Sequence, residues 1–164
     1  WTGIDGGEGI EDFTAGLVTF ADLTWGLPAA QRHPYDWTMS IEVAEHIKRR
    51  HEPYFMHALA WPAAKGVVLS WSSSFMGVRH VNPQPRSYVA CAMGLLGFEP
   101  DPALERELRG TITSRDLKNK TEGCAWLRGT LMAYRRPLLA ATVAQHVQEL
   151  LPLPAVPTAD FAAA

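Results

Sequence analysis

The sequence has only two cysteines, Cys91 and Cys124, in 164 residues. Two cysteines do not make the framework of several disulfides that holds small secreted domains together. Because both lie among apolar residues, we expect them to be small core side chains. No apolar run approaches the roughly 20 residues of a membrane-spanning helix, and no secretory signal is visible. The sequence therefore predicts no disulfide scaffold and no membrane partner, and it leaves the cellular compartment unknown.

Excess charge is also nearly absent, since the formal net charge is −2. Nucleic-acid-binding domains usually carry a basic patch, whereas the basic clusters here are limited to Lys48–Arg50 and Arg135–Arg136. We therefore expect no nucleic-acid partner. The serine-rich stretch Ser72–Ser74 lacks a Gly-x-Ser-x-Gly motif, which argues against a serine hydrolase. The dinucleotide fingerprint is missing as well, which disfavours an NAD-dependent dehydrogenase.

The most informative stretch of the chain runs from Tyr35 to Ile47. Bulky, aromatic and β-branched residues predict a strand over Tyr35–Ile41. Good helix formers then predict a helix over Glu42–Trp61, which Pro53 kinks or divides. In open parallel sheets, ligands bind beyond the carboxyl ends of the strands. The candidate functional residues at this position are Glu42, Glu45 and His46.

Strands and helices alternate along the rest of the chain. This order predicts an α/β fold with a mostly parallel sheet and an antiparallel last strand. We expect an α/β domain over residues 1–136, a C-terminal helix over residues 137–151, and a Pro- and Ala-rich disordered tail over residues 152–164. The other predicted strands are Trp1–Asp5, Leu17–Ala21, Val67–Trp71, Phe98–Glu99 and Ala125–Tyr134. The other predicted helices are Pro85–Leu96 and Pro102–Thr113, the latter capped by Asp101.

The Tyr35–Ile47 stretch resembles the fourth-strand motif of class I S-adenosylmethionine-dependent methyltransferases, in which an Asp and several apolar residues precede Glu-Val-x-Glu-His-Ile. Gly66–Trp71 is similar to the fifth strand of that family, and Thr130–Arg136 to its closing antiparallel strand. The resemblance covers roughly residues 1–136. It implies a Rossmann-like sheet, S-adenosylmethionine as cofactor, and methyl transfer to a small-molecule or otherwise unknown acceptor. The alternative is a catalytically inactive remnant or a binding module that does not bind the cofactor.

The resemblance also implies positions for cofactor-binding residues. Asp5 takes the place of the acid that grips the ribose hydroxyls, and Asp22 that of the acid near the adenine, while Glu42 is a further cofactor-binding candidate. A carboxylate at a strand end is a suitable bidentate acceptor for a ribose diol. Asp is also common in the turns that follow strands, so a purely structural role for Asp5 and Asp22 stays open.

The family's first strand and its Gly-rich loop have no counterpart in this sequence. Gly6–Gly9 is not interpreted as this loop, because only the seven residues Ile10–Gly16 separate it from the strand at Leu17. A crossover between parallel strands needs about a dozen residues or more. We therefore interpret Asp5 as the end of the second strand and the chain as an N-terminally truncated part of a longer protein. A gap between the second and fourth strands, and weak cofactor binding by this chain alone, are then expected.

On a helix, Glu42, Glu45 and His46 would share one face. Two carboxylates and an imidazole suit Mg²⁺, Mn²⁺ or Zn²⁺, and some methyltransferases with this pattern use these positions for a divalent metal. His80 could complete such a site. His46 and His80 are also the candidate catalytic residues, since an imidazole can act as a general base. The alternative is that the acids complement a helix N-terminus and the histidines only pack.

Overall fold

The structure, a computed structural model, describes residues 1–28, 31–112 and 126–137. Among these residues no helix is long and apolar enough to cross a membrane. The strands are β1 (Gly3–Asp5), β2 (Val18–Phe20), β3 (Tyr35–Ser40), β4 (Ala63–Ser70), β5 (Glu99–Pro100) and β6 (Leu131–Arg135). The helices are α1 (Ile10–Phe13), α2 (Glu52–Ala60), α3 (Arg86–Leu95), α4 (Pro102–Thr111) and α5 (Leu127–Thr130), with 3₁₀ turns at Leu23–Trp25, Ala44–His46 and Arg49–His51.

The larger sheet has the strand order β3-β4-β6-β5. β3 and β4 are parallel, while β6 runs antiparallel to both of its neighbours. The prediction of a mostly parallel α/β sheet with an antiparallel last strand is thereby confirmed. Asp101 caps α4 as predicted, because its carboxylate accepts a hydrogen bond from the Leu104 amide at 3.0 Å.

A second, smaller sheet consists of the parallel strands β1 and β2. In the part of the chain that the structure describes, β1 pairs only with β2, and β3 pairs only with β4. One edge of each strand is therefore left without a ladder partner. Phe13 and Leu17, which flank β2 on its N-terminal side, are 88 % and 81 % exposed. The small sheet thus buries little apolar surface of its own.

The hydrophobic core lies on the larger sheet, where α2 and α3 pack. Bulky side chains of the inner strands β4 and β6 interdigitate there with those of the two helices. Leu23, in the turn after β2, packs against the same core and joins the small sheet to it. The central members of the core are Phe55, Met56, Leu59, Val67, Leu69, Val89, Met93, Met132 and Tyr134.

The predicted helix over Glu42–Trp61 is wrong over its first half. Ala44–His46 and Arg49–His51 form two 3₁₀ turns separated by Ile47 and Lys48, and the α-helix begins only at Glu52. In a continuous helix the Glu45 carbonyl would accept a hydrogen bond from residue 49. Here it accepts hydrogen bonds from the amides of Val81 and Asn82, at 2.8 and 2.9 Å. A tertiary contact therefore overrides the local helix propensity.

The predicted last strand starts too early. Leu131 is the first strand residue because it pairs with Ser70, the last residue of β4. Residues 127–130, which have no partner strand, form the short helix α5 instead. Cys91 is exposed, so its expected burial is wrong. Cys124, most of the predicted helix over residues 137–151 and the predicted tail over residues 152–164 lie outside the described residues.

Gly66 is the position in β4 where a side chain is not tolerated. A Cβ there would overlap the indole ring of Trp37 and lie 2.6 Å from the carbonyl oxygen of Tyr134. We expect Gly66→Ala to lower the free energy of unfolding in urea by about 1–3 kcal/mol, since overpacking forces neighbours to shift. Gly94→Ala is the control, because no atom lies within 4 Å of a Cβ there and alanine favours a helix by about 0.5–1 kcal/mol. Equal effects of the two substitutions would show that close packing around Gly66 does not limit the side chain at this position.

Candidate functional site

The candidate site lies where β3 and β4 end side by side. Because these strands are parallel and paired up to Ser40 and Leu69, the segments that follow them leave the same edge of the sheet. The hydrogen bonds of the Glu45 carbonyl join these two segments, and the His46 ring nitrogen Nδ1 lies 3.1 Å from the carbonyl oxygen of Arg79. Residues about 35 positions apart in sequence thus meet at one place.

Glu42 is held against the end of β4. The Ser70 hydroxyl, fully buried, donates a hydrogen bond to the Glu42 carboxylate at 2.7 Å and accepts one from the Glu42 amide at 2.7 Å. Thr130 donates a longer hydrogen bond to the same carboxylate oxygen, at 3.5 Å. Glu42 has a φ of 55°, an uncommon value for a residue other than glycine. Its carboxylate is therefore directed to Ser70 by the backbone as well as by hydrogen bonds.

The carboxylate of Glu45 is buried, and only one of its two oxygens has a hydrogen-bond partner among the described residues. One oxygen accepts a hydrogen bond from the Ser72 amide at 3.3 Å, while the other has no partner among the described residues. Burial is the main cause that raises the pKa of Glu45 above its ordinary value, and the nearby Glu42 adds to it. A buried carboxylate without compensating partners is costly when ionised. This position therefore favours either protonation of Glu45 or a cation bound beside it.

His46 and His80 form a perpendicular pair, with ring centroids 5.1 Å apart. The Nδ1 of His80 lies 2.6 Å from the carbonyl oxygen of Ser74. The Nδ1 of His46 lies 3.1 Å from the carbonyl oxygen of Arg79. A carbonyl oxygen only accepts hydrogen bonds, so Nδ1 must be the protonated nitrogen in each ring. With Nδ1 as the N–H, Nε2 is the ring nitrogen left to offer a lone pair, which is what a metal ligand or a general base requires.

Glu45, His46 and His80 each offer a ligand atom, and these three atoms lie within 4.8 Å of one another. The set contains two imidazoles and one carboxylate, which suit Mn²⁺, Co²⁺ or Zn²⁺, whereas Mg²⁺ prefers oxygen ligands. The structure thus brings His80 to Glu45 and His46. The remaining sequence candidate, Glu42, has its carboxylate on Ser70 and is not part of this cluster.

Gly77 provides the room for the His80 ring. A Cβ at this position would overlap the imidazole. Gly77 also accepts a hydrogen bond from the His80 amide, at 3.4 Å. The loop can therefore close over the ring only because residue 77 has no side chain.

Asp5 and Asp22 lie at the carboxyl ends of β1 and β2. The Asp5 carboxylate accepts a hydrogen bond from the Gly7 amide at 2.7 Å, and the Asp22 carboxylate accepts one from the Thr24 amide at 2.9 Å. Both bonds are those of ordinary turn residues. Each carboxylate keeps further acceptor capacity, so the geometry is compatible with the ribose and adenine roles as well.

Sequence reasoning missed a group of buried polar residues behind the histidine pair. Glu52, Asn82 and Gln84 are at most 8 % exposed and are joined by side-chain hydrogen bonds. Glu52 precedes Pro53, so in the sequence it reads as an acid in the first turn of a helix. The only signal for Asn82 is its place in a loop at a carboxyl strand end.

A separate cavity of about 210 Å³ lies between α2 and the turn after β2. Half of its lining residues are aromatic, and burial together with the Arg32 guanidinium lowers the pKa of His57 in one wall. None of its residues was a sequence candidate. They are Trp25, Gly26, Leu27, Arg32, Pro53, Tyr54, His57 and Trp61.

The architecture is similar to a solved structure, that of magnesium protoporphyrin IX methyltransferase (ChlM) from Synechocystis PCC 6803 with bound SAH. The TM-score is 0.53 and the sequence identity 15 %, over 83 % of this chain and 64 % of that one. The chain has a Rossmann-like α/β fold, similar to that of this methyltransferase. At this identity the likeness concerns the fold, and the chain spans just under two thirds of the neighbour's length. No family model and no curated protein matches the sequence.

The raised pKa of Glu45 predicts how its replacement changes stability with pH. A carboxyl group whose pKa is higher in the folded state contributes stability below its unfolded-state pKa, and this contribution is lost as the pH rises through the folded-state pKa. Glutamine cannot ionise. The unfolding free energy of Glu45→Gln, minus that of the wild-type chain, should therefore increase from pH about 4 to pH about 7.

Urea denaturation at a series of pH values, with a chelator present, measures this difference. Glu105→Gln is the control, since Glu105 is also buried but is paired with Arg86 and Arg109. No such increase is expected when Glu105 is replaced, since its carboxylate is paired with two guanidinium groups. A pH-independent difference for Glu45→Gln would show that the carboxylate is not destabilised by burial.

Proposed function

We propose that this chain contributes to S-adenosylmethionine-dependent methyl transfer, as part of a longer protein. The observation that carries the proposal is the Glu45, His46 and His80 cluster at the carboxyl ends of β3 and β4, within a methyltransferase fold. Carboxyl strand ends are where open α/β sheets bind ligands. The titratable groups therefore lie at the edge where the reaction would take place.

In this proposal the acids and the imidazoles have different tasks. Asp5 accepts hydrogen bonds from the ribose hydroxyls, and Asp22 accepts one from the adenine amine. Glu42, fixed on Ser70, is a third acceptor on the cofactor side. His46 or His80 accepts the proton of an acceptor hydroxyl or amine through Nε2. S-adenosylmethionine supplies the methyl group to an in-line displacement, which depends mainly on how the reactants are positioned.

Binding of S-adenosylhomocysteine tests the cofactor part of the proposal. A ligand that binds only the folded state raises the unfolding midpoint. The edges of β1 and β3 have no ladder partner among the described residues, so we expect weak binding and a shift only at high ligand concentration. Asp5→Asn should abolish the shift, because it removes one carboxylate acceptor. Asp36→Asn should keep it, since Asp36 is exposed and pairs with Lys65.

The second candidate function is that of an inactive remnant or binding module. It is favoured by the edges of β1 and β3, which have no ladder partner among the described residues, and by the chain's 64 % coverage of the solved neighbour. A cooperatively folded sample that shows no midpoint shift at any ligand concentration would contradict cofactor binding and favour this alternative. A shift that Asp5→Asn leaves unchanged would contradict the assigned role of Asp5.

A divalent metal at Glu45, His46 and His80 is the finer part of the proposal. It is supported by the unpartnered, buried carboxylate oxygen of Glu45 and by the two imidazoles whose Nδ1 atoms are held by carbonyl oxygens. The donor set favours Mn²⁺, Co²⁺ or Zn²⁺ over Mg²⁺. A cation there would occupy the Nε2 lone pairs of both imidazoles, so it would replace them as the group that helps the acceptor hydroxyl to lose its proton, by lowering the pKa of that hydroxyl.

Cobalt absorption spectroscopy tests whether a divalent metal binds at this site and which side chains are its ligands. Because Gly77 makes room for the ring of His80, we expect Gly77→Ala to raise the Co²⁺ dissociation constant by about 10-fold to 100-fold, as changes beside a metal ligand do. His80→Ala should abolish the spectrum. Glu42→Gln should change the dissociation constant by less than about 3-fold. Loss of Co²⁺ binding in Glu42→Gln but not in His80→Ala would instead support the metal ligands predicted from the sequence, Glu42, Glu45 and His46.

A further inference from the structure

A buried polar network adjoins the loop that carries His80, and none of its side chains is among the three that offer ligand atoms in the proposed site. It joins the first residue of α2, Glu52, to Asn82 in the loop after β4 and to Tyr88 on α3. Glu52 and Asn82 are only 7 % and 3 % exposed. Burying a carboxylate costs free energy unless it is hydrogen-bonded, and here it accepts one hydrogen bond on each oxygen.

Asn82 has a partner for each of its polar groups. Its side-chain amide donates to Glu52 at 2.7 Å, and its side-chain carbonyl accepts from Gln84 at 2.7 Å. Its main-chain amide donates to the Glu45 carbonyl at 2.9 Å. Its main-chain carbonyl accepts from the Trp71 indole at 2.7 Å. Asn82 therefore ties α2 and the end of β4 to the segment that carries Glu45.

Asn82 follows His80 by only two residues. Between β4 and Asn82 the chain is a loop, and Arg79, next to His80, has a φ of 59°, which is an uncommon value outside glycine. Such a conformation persists only where the surroundings determine it. The hydrogen bonds of Val81 and Asn82 to the Glu45 carbonyl provide that constraint, and Glu52 in turn holds Asn82.

We propose that Glu52 and Asn82 are positioning residues, which hold the loop so that the imidazole of His80 stays beside Glu45 and His46. The proposal rests on the function proposed for that cluster. Neither side chain is among the three that offer ligand atoms, so their effect passes through the loop. Tyr88, whose pKa is raised mainly by its hydrogen bond to Glu52, completes the network on α3.

Glu52→Ala tests the proposal, with Glu52→Gln as the conservative variant. Alanine removes both acceptors of the network, whereas glutamine keeps the shape and an acceptor for Asn82. Glu105→Ala is the matched control, because Glu105 is a comparably buried carboxylate that pairs with Arg86 and Arg109 instead. Urea denaturation gives the stability of each variant, so a general loss of stability is measured separately.

The first readout is the nuclear Overhauser effect between ring protons of His46 and His80, which needs neither metal nor cofactor. We expect it in the wild type, in Glu52→Gln and in Glu105→Ala, and its loss in Glu52→Ala. The second readout is the Co²⁺ dissociation constant. It should rise by about 10-fold to 100-fold in Glu52→Ala and by less than about 3-fold in Glu52→Gln and Glu105→Ala.

The outcomes separate this proposal from the function on which it rests. If the ring contact disappears only in Glu52→Ala while the wild-type chain binds no Co²⁺, the positioning role is supported. The proposed metal site is then contradicted. A ring contact that persists in Glu52→Ala, or is lost equally in Glu105→Ala, overturns positioning. If Glu52→Ala does not fold, Tyr88→Phe removes only one of the hydrogen bonds to Glu52. It should weaken the ring contact and raise the Co²⁺ dissociation constant by about 3-fold or more.

Discussion

The main-chain carbonyl of Glu45 accepts hydrogen bonds from two consecutive amides, those of Val81 and Asn82. Much of the site depends on this contact. Because the Glu45 carbonyl is already occupied by these bonds, it does not accept the hydrogen bond that a continuous helix would need. Residues 44–46 therefore form a single 3₁₀ turn. It also fixes the loop after β4 against the segment after β3. The side chains of Glu45, His46 and His80 meet because their backbones are joined here.

The same region concentrates features that cost stability. Glu45 is a buried carboxylate with an unpartnered oxygen, and two of the three residues other than glycine with positive φ, among those described, are Glu42 and Arg79. Strained backbone and buried charge tend to occur together at functional sites, where the surrounding structure compensates for them. The compensation here is identifiable. It consists of the Ser70 hydroxyl beneath Glu42 and the Glu52–Asn82 network behind His80.

The division into two sheets separates the proposed tasks. Asp5 and Asp22 lie at or just after the carboxyl ends of the small sheet's strands, while His46 and His80 lie in the segments that follow β3 and β4 of the large sheet. The large sheet has a continuous core formed with α2 and α3, whereas the small sheet leaves Phe13 and Leu17 exposed. The proposed acceptor side of the site therefore stands on a well-packed scaffold. The proposed nucleoside side depends on a unit that buries little surface and whose strand β1 has, among the described residues, one edge without a partner.

The sequence by itself determined the features that depend on near neighbours along the chain. Alternating apolar strands and helix formers predicted the α/β fold, β3 was placed at Tyr35, and Asp101 was expected as a helix cap, all of which follow from local propensity. Tertiary structure alone decided that Glu42 turns to Ser70 and that Glu52 holds Asn82, across 28 and 30 residues. It also interrupted the helix predicted at Glu42. Such contacts depend on which strands become neighbours, and local sequence preference contains no information about that choice.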